Sequence, residues 1–387
     1  MFDRPQPFLQ LTLPRVVKAR KRLEPLLWTE VAPVDVAMES GDRDGLSIDE
    51  ALAADYTPVS LPHHWGRLMG TRWFRLSFPE VTESPVYLHW QDQGEGTLVL
   101  DGVPYCGFDV AHRQVELPAG CREGYVEGLC YQSGIWHPEA HGVDHEGCRL
   151  ETARLVSRND DVWHCLRDLE VLVSLVKDEE RRCPAFDALH EGGVGNKPKV
   201  EVVSPLLRRV MRGLDDAVCA LDSGGPAVMR ASLTETLEGL RGGEELVKGV
   251  LTGHAHIDLV WIWREINAEY KARHTFASMN RLMDQYPEFR FAYSQSASYD
   301  AVARTAPTLH EKVKERIAGG QWEAVGATYV ESDTIMACGE ALARSFLVGQ
   351  ERFRDLFGES SRLLWLPDVF GYSGCMPQIM RQCGVDR

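Results

Sequence analysis

No stretch of this sequence reaches the roughly 18 uncharged apolar residues that a membrane-spanning helix requires, so no membrane partner is expected. Positive charge is in deficit, with 42 Lys and Arg against 57 Asp and Glu and a formal net charge of −15. Nucleic-acid binding draws on clustered basic side chains that displace counterions from phosphate, and such clusters are missing. The short basic run Lys18 to Arg22 is followed by acidic residues and reads as a solvated helix face. The first thirty residues lack the apolar core of a secretory signal, because Arg4, Arg15, Lys18 and Arg20 interrupt each apolar stretch. The ten cysteines include no C-x-x-C pair, and several, such as Cys165 and Cys219, sit inside apolar patterns. That usage suits buried thiols better than a disulfide framework, and the expectation is a cytoplasmic protein. The Gly-rich stretch Gly192 to Lys197 has neither Walker spacing nor a Ser or Thr after the lysine, which excludes a phosphate loop. No internal repeat is evident.

What is present is a soluble globular composition, 44% hydrophobic and 26% charged, over 387 residues, enough for roughly two or three domains. From about Trp73 to Leu155 the pattern is of short strands: Trp73 to Phe78, Val86 to Trp90, and Thr97 to Leu100 with the hairpin signal Asp101-Gly102 directly after it. Strands at this spacing suggest a β-sandwich. From Asp160 to about Gly243 the periodicity becomes helical, with Trp163, Leu166, Leu169 and Leu172 in one series and Leu206, Val210 and Leu214 in another. Gly192 to Gly195 and Gly224-Gly225-Pro226 read as linkers within that zone.

The third zone alternates. Strands are expected at Val247 to Thr252, Phe289 to Tyr293, Trp322 to Ala327 and Arg362 to Leu366. Helices fall between them, one ending before Pro287, one at Gly319-Gly320, and one from Glu340 to Phe357 capped by Gly358; a short helix around Gln378 to Cys383 closes the chain. This order gives a parallel sheet or barrel. The fold expected is therefore multidomain: residues 1–155 with a β-sandwich-like accessory domain, a helical linker region over 156–244, and the first half of an α/β barrel-like catalytic domain over 245–387.

Catalytic groups in such sheets gather at the carboxyl ends of the strands. Behind the first strand stands His254-Ala255-His256-Ile257-Asp258. On an extended chain alternate residues share a face, so His254, His256 and Asp258 would point together, and imidazole nitrogen with carboxylate oxygen makes a suitable zinc donor set. The bland alternative is a group of structural hydrogen bonds at a strand end. Behind the fourth strand stands Trp365-Leu366-Pro367-Asp368-Val369-Phe370-Gly371-Tyr372-Ser373. A carboxylate there is costly unless paired or metal-bound; Asp368 can ligate a metal, attack an electrophilic carbon, do both, or merely cap the next short helix.

These segments, with Phe291 to Gln295, Tyr329 to Asp333, Gly339-Glu340 and Pro377-Gln378 in the same order, resemble the first part of the catalytic domain of glycoside hydrolase family 38, the α-mannosidases, in its cytosolic and bacterial branch. Asp101 to Asp109 with His112 resembles the accessory β-domain that precedes it. The resemblance implies that His256 and Asp258 are zinc ligands and that Asp368 is both zinc ligand and nucleophile. It implies that Trp261 lies under the bound mannose. Glu331 and Asp333 fall in a family motif near the site, with Asp333 placed among the substrate-binding residues, and His254 is placed as an orienting neighbour of a ligand. The substrate implied is an α-mannoside oligosaccharide, cleaved with retention of configuration.

In the family a further histidine ligand, the acid/base carboxyl and large C-terminal β-domains lie beyond the point matching Arg387. The chain is accordingly read as an incomplete form, not expected to hydrolyse mannosides by itself, and acting as a homo-oligomer or with a complementing C-terminal half. Two other readings stand beside it. One is a truncated relative that only binds sugar; the other is a metal-dependent amidohydrolase using His254 and His256 together.

Overall fold

A computed structural model describes residues 9–41, 43–82, 85–131, 147–182, 204–241 and 249–387. The Gly192 to Lys197 stretch lies outside the described residues. Contacts gather the chain into two compact units, one drawn from 1–31, 83–86 and 156–248, the other from 32–82, 87–155 and 249–387. The division in chain order, 1–155, 156–244 and 245–387, differs from this grouping in leaving residues 1–31 with the β-rich zone. Among the described residues no helix is long and apolar enough to cross a membrane.

The first unit is helical. Leu9–Leu23, Asp160–Arg182 and Pro205–Gly239 carry apolar residues at helical spacing, and Val16, Leu23, Leu169, Leu172, Val210 and Leu214 close on one another with almost no exposure. Gly224-Gly225-Pro226 is not a linker. Gly225 takes φ 78° and ψ −168°, a conformation open mainly to glycine, and the helix resumes at once behind the proline. The result is a kink rather than a gap. In the basic run, Arg22 pairs with Asp222 at 2.6 Å, both ends more than half exposed, so the pair contributes little to stability.

The second unit begins with a sandwich. Its six-stranded antiparallel sheet runs, in spatial order, Tyr56–Pro58, Asp35–Glu39, Thr71–Ser77, Glu123–Leu129, Glu95–Leu100 and Val103–Phe108. Asp101 and Gly102 both have positive φ, 51° and 75°, the geometry of a two-residue hairpin whose twist matches its strands. A second sheet carries His63–Trp65, Cys148–Arg158, Tyr87–Asp92 and Gln114–Glu116. A row of rings, Trp65, Phe74, Trp90 and Phe108, fills the interior at centroid spacings of 5.3, 5.4 and 6.3 Å.

Behind the sandwich come three short parallel strands, Gly253–His254, Phe291–Tyr293 and Trp322–Ala324, paired in sequence order. A parallel bridge from Gly326 to Leu364 extends the series. The helix Glu265–Gln285, the pair Ser296–Thr305 and Pro307–Ala318, and the helix Gly339–Phe357 fill the crossovers, and Met376–Gln382 follows. Gly358 ends its helix in the left-handed conformation, φ 84°.

Two strands are shorter than the apolar runs suggest. Of Val247 to Thr252, residues 247 and 248 lie outside the described residues and the remainder is not strand; Val250 and Leu251 are 93% and 94% exposed. The neighbouring chain turns at Pro287 to Phe289, and among the described residues the pairing begins where Gly253 meets Phe291. Arg362 to Leu366 makes the single bridge at Leu364 and is held on its other side by Asp386 and Arg387, whose amides donate to the Arg362 carbonyl at 3.2 Å.

The helix Glu265–Gln285 is clamped to the sandwich. Arg273 Nη2 donates to both oxygens of Glu127 at 2.6 Å, with only 5% and 4% of the two side chains exposed. Lys271 Nζ donates to both oxygens of Glu95 at 2.7 Å, and the Gly107 amide donates to Ser278 Oγ at 2.9 Å. A Cβ on Gly107 would stand 2.3 Å from the His274 ring. A second close approach lies at Gly349, where a Cβ would meet the Thr328 carbonyl carbon at 2.3 Å. That approach fixes the segment leading to Glu331. Gly349→Ala is expected to cost about 1–3 kcal/mol or more, because backbone cannot give way as a side chain does; urea unfolding at unchanged m-value checks it.

Candidate active site

Each of the four parallel segments delivers one loop to the same place. His256 and Asp258 follow the first, Ser294 and Gln295 the second, Glu331 the third and Asp368 the fourth. His256 is the hub. Its Nδ1 lies 2.6 Å from Glu331 Oε2, and its Nε2 lies 3.3 Å from Asp258 Oδ1 and 3.9 Å from Asp368 Oδ2. The Glu331 side chain is 1% exposed while that of Asp368 is 56% exposed, so the ring is gripped from inside and presents its other nitrogen outward. The Glu331 hydrogen bond is the main reason that the imidazole pKa rises to about 9, against the opposing effect of burial.

Glu331 is itself held. Ser294 Oγ donates to its Oε1, and its backbone amide donates to Gln295 Oε1 at 3.3 Å. Gln295 Nε2 donates to the Ile257 carbonyl at 2.8 Å, so one buried side chain ties the first loop to the third. Its φ of 61° is unusual for a residue other than glycine, and strain of this kind persists where surrounding contacts fix it.

Asp368 sits on a loop pinned from the side. Thr334 Oγ1 donates to the Gly371 carbonyl at 2.9 Å and accepts from the Ser373 amide at 2.7 Å. Tyr372 Oη donates to the Leu366 carbonyl at 2.5 Å. Ile335, Met336, Phe370 and Tyr372 on these two loops remain 64%, 84%, 91% and 62% exposed.

The site opens into a cavity of about 540 Å³, whose lining includes His256, Asp258, Trp261, Trp263 and Asp368. Trp261 and Trp263 meet edge to face at 5.2 Å, and Trp263 Nε1 donates to the Asp258 carbonyl at 2.9 Å. A larger cleft of about 800 Å³ lies in the helical unit near Arg209, Asp216 and Thr236, with no imidazole among its lining residues.

Of the residues singled out from sequence, His256, Asp258, Trp261 and Asp368 share this cavity. Asp333 does not: its Oδ1 accepts from the amides of Ile335 and Met336 at 2.8 and 3.1 Å, closing a turn two residues beyond Glu331. His254 also stands apart, because the chain leaves the strand after it. Its ring stacks on Tyr293 at 6.3 Å and tilts against Trp365 at 5.6 Å, with Nε2 3.5 Å from Ser294 Oγ. The amidohydrolase reading needs both imidazoles in one cavity, and His254 does not line it. Sequence reasoning left Glu331 without a role; its place in the loop after the third strand was the available signal.

Among the described residues no group of three or more His, Cys, Asp and Glu is gathered closely enough to grip an ion unaided. The donor chemistry nonetheless fits zinc in part. Bonds of about 2.0–2.1 Å to nitrogen and oxygen place tetrahedral ligand atoms roughly 3.3–3.4 Å apart. The 3.3 Å separation of His256 Nε2 from Asp258 Oδ1 meets that edge, and the 3.9 Å separation from Asp368 exceeds it by about half an ångström.

The family described as the glycosyl hydrolases family 38 N-terminal domain matches residues 247–387, and that described as the alpha-mannosidase jelly roll domain matches residues 32–129. The chain is similar to human alpha-mannosidase 2C1, 31% identical over 374 residues, which is 92% of this chain and 34% of that protein. Mouse alpha-mannosidase 2C1 is 31% identical over 361 residues, covering 88% and 32%. The alpha-mannosidase of Saccharomyces cerevisiae is 40% identical over 136 residues, covering 35% and 13%. The chain thus spans about a third of the length of the first two of these curated relatives. A jelly roll domain over residues 32–129 followed by a family 38 N-terminal domain over residues 247–387 therefore places the chain in glycoside hydrolase family 38.

Proposed function

We propose that this chain carries the metal-binding and nucleophilic part of a site that hydrolyses terminal α-D-mannosides with retention of configuration. The observation that carries the reading is the convergence of Asp258 and Asp368 on the outward nitrogen of an imidazole held from behind by buried Glu331. His256 Nε2, Asp258 and Asp368 would hold one zinc ion, which when bound supplies a Lewis acid that grips sugar hydroxyls and stabilises developing charge. Glu331 accepts from Nδ1 and so fixes the tautomer that leaves Nε2 free as a donor atom. Trp261, 42% exposed, presents a flat apolar face on which the C–H side of a pyranose can rest. Asp368 forms the bond to C1 while the bond from C1 to the glycosidic oxygen breaks; that oxygen leaves with the electron pair and takes a proton from an acid group. The parallel sheet, built in sequence order with helices in its crossovers, is read as the beginning of an α/β barrel-like catalytic domain. The cysteines of the described residues are free thiols, which suits a cytoplasmic setting.

Calorimetric titration with zinc tests the reading. The wild-type chain should take up one ion, and His256→Ala should weaken uptake by at least about a hundredfold. Glu331→Gln should weaken it by about 10–100-fold, as expected when the group behind a metal-bound imidazole is lost. Unchanged zinc affinity in His256→Ala would sink the assignment.

A further inference from the structure

The cavity that holds His256 and Asp368 does not end with the catalytic residues. Glu95 and Asp109, both from the jelly roll, line it together with Lys271 and His274 of the helix Glu265–Gln285. Its volume of about 540 Å³ exceeds that of one pyranose ring and falls within the range of small-molecule sites.

The groups at this part of the wall are polar and fixed. Lys271 Nζ, only 13% exposed, is held by both Glu95 oxygens at 2.7 Å and lies 4.5 and 4.6 Å from the ring centroids of Tyr131 and Trp263. Trp263 then reaches the Asp258 carbonyl, so the wall is continuous from the jelly roll to the metal-facing loop. Asp109 is anchored by the amides of Ala111 and His112 at 2.7 and 2.8 Å. Burial works against its charge, but the His112 contact prevails and holds its carboxyl below the usual range.

His274 is the exception. Its ring is pressed against Gly107, where any side chain would collide with it. Burial lowers its pKa and favours the neutral ring. Among the described residues neither ring nitrogen has a hydrogen-bond partner, and the residue lines the cavity. A neutral imidazole offers one donor and one acceptor, and on this half-buried ring both are open for a ligand or water in the cavity to complete. Adjacent sugar hydroxyls present that complementary pair, and a carboxylate held by a lysine adds a further acceptor beside it.

We propose that His274, Lys271 and Glu95 form a second sugar subsite, which binds the residue next to the mannose held at Asp368 and lets the jelly roll set oligosaccharide preference. The inference rests on the α-mannoside reading above and adds to it a substrate longer than one sugar. Lys271 and Glu95 act as a charge-neutral pair suited to neutral hydroxyls, not as an anion trap. His274 acts by hydrogen bonding and takes no part in the bond-breaking step.

The test is an NMR titration of the zinc-supplied chain with methyl α-D-mannopyranoside and with α-1,2-, α-1,3- and α-1,6-linked mannobiose. In the wild type at least one mannobiose should bind about tenfold tighter than the monosaccharide, the scale of one well-made hydrogen bond to a ligand. His274→Ala should bring that ratio close to one, Glu95→Gln should reduce it by a few-fold, and His274→Gln should restore part of it. The ratio comes from two affinities measured on the same variant, so partial loss of folded protein does not mimic the effect. A wild-type ratio near one, or a high ratio that survives both His274→Ala and Lys271→Met, overturns the subsite and leaves the α-mannoside reading standing. Binding of neither sugar by the wild type overturns both.

Discussion

Glu127→Ala is expected to destabilise the sandwich-bearing unit by about 3–5 kcal/mol, measured by urea unfolding followed through tryptophan fluorescence. The size comes from what the substitution leaves behind. Arg273 lies on the helix Glu265–Gln285 with 5% of its side chain exposed, and its guanidinium would remain charged with no carboxylate opposite it. Its Nε already has no hydrogen-bond partner among the described residues, so Nη2 and the Glu127 oxygens carry the compensation. Tyr270, whose ring lies 4.7 Å from the guanidinium carbon, offers a weaker substitute. Replacing both charges, as in Glu127→Leu with Arg273→Met, should recover most of the loss, because neither charge is then stranded. A single substitution costing less than about 1 kcal/mol would show that solvent reaches the pair and that the seam is held by its apolar contacts alone.

Asp368→Asn is the second large effect. In an assembly where the wild-type chain turns over mannosides, the variant is expected to lose about a thousandfold or more in kcat, since the amide cannot form the glycosyl ester. The sharpest substrate is an aryl α-mannoside with an acidic phenol, whose departure needs no proton and so isolates the attack at C1. Asparagine keeps the shape of the side chain, and with 56% of Asp368 exposed the fold should be indifferent to the change. Zinc content must be measured beside the rate, since the same oxygen is assigned to the ion. Full zinc loading with lost turnover assigns nucleophilic attack to Asp368; turnover near wild type removes that role.

Local rules made much of this molecule legible in advance. The Asp101-Gly102 hairpin, the helix ending before Pro287 and the Gly358 cap follow from side-chain sterics within a few residues, and the structure shows each of them. What sequence concealed depends on distant partners. Val250 and Leu251 carry a strand-like pattern, but a strand needs a neighbour, and the chain that would supply one turns away at Pro287. Gly225 and Pro226 look like a linker until packing on both sides holds the two helical segments end to end. Within the site, spacing grouped His254 with His256 and Asp258, of which the last two line the cavity, whereas the Glu331 contact spans 75 residues. Glu331 and Asp333 are neighbours in one motif and of similar chemistry. Only the path of the backbone sends the first inward to His256 and spends the second on a turn.

Ile335, Met336, Phe370 and Tyr372 are expected to make the rim of the site adhesive in concentrated solution. Two loops in contact, with Gly371 pressed against Ile335, hold these four apolar side chains in water beside one another. The net charge of −15 opposes their meeting on another molecule, but that repulsion is damped beyond a Debye length of about 8 Å at physiological ionic strength. Added salt therefore weakens the force that keeps molecules apart and leaves the attraction intact. Light scattering of this chain should rise with ionic strength, and an exchange of Phe370 for serine should flatten the rise.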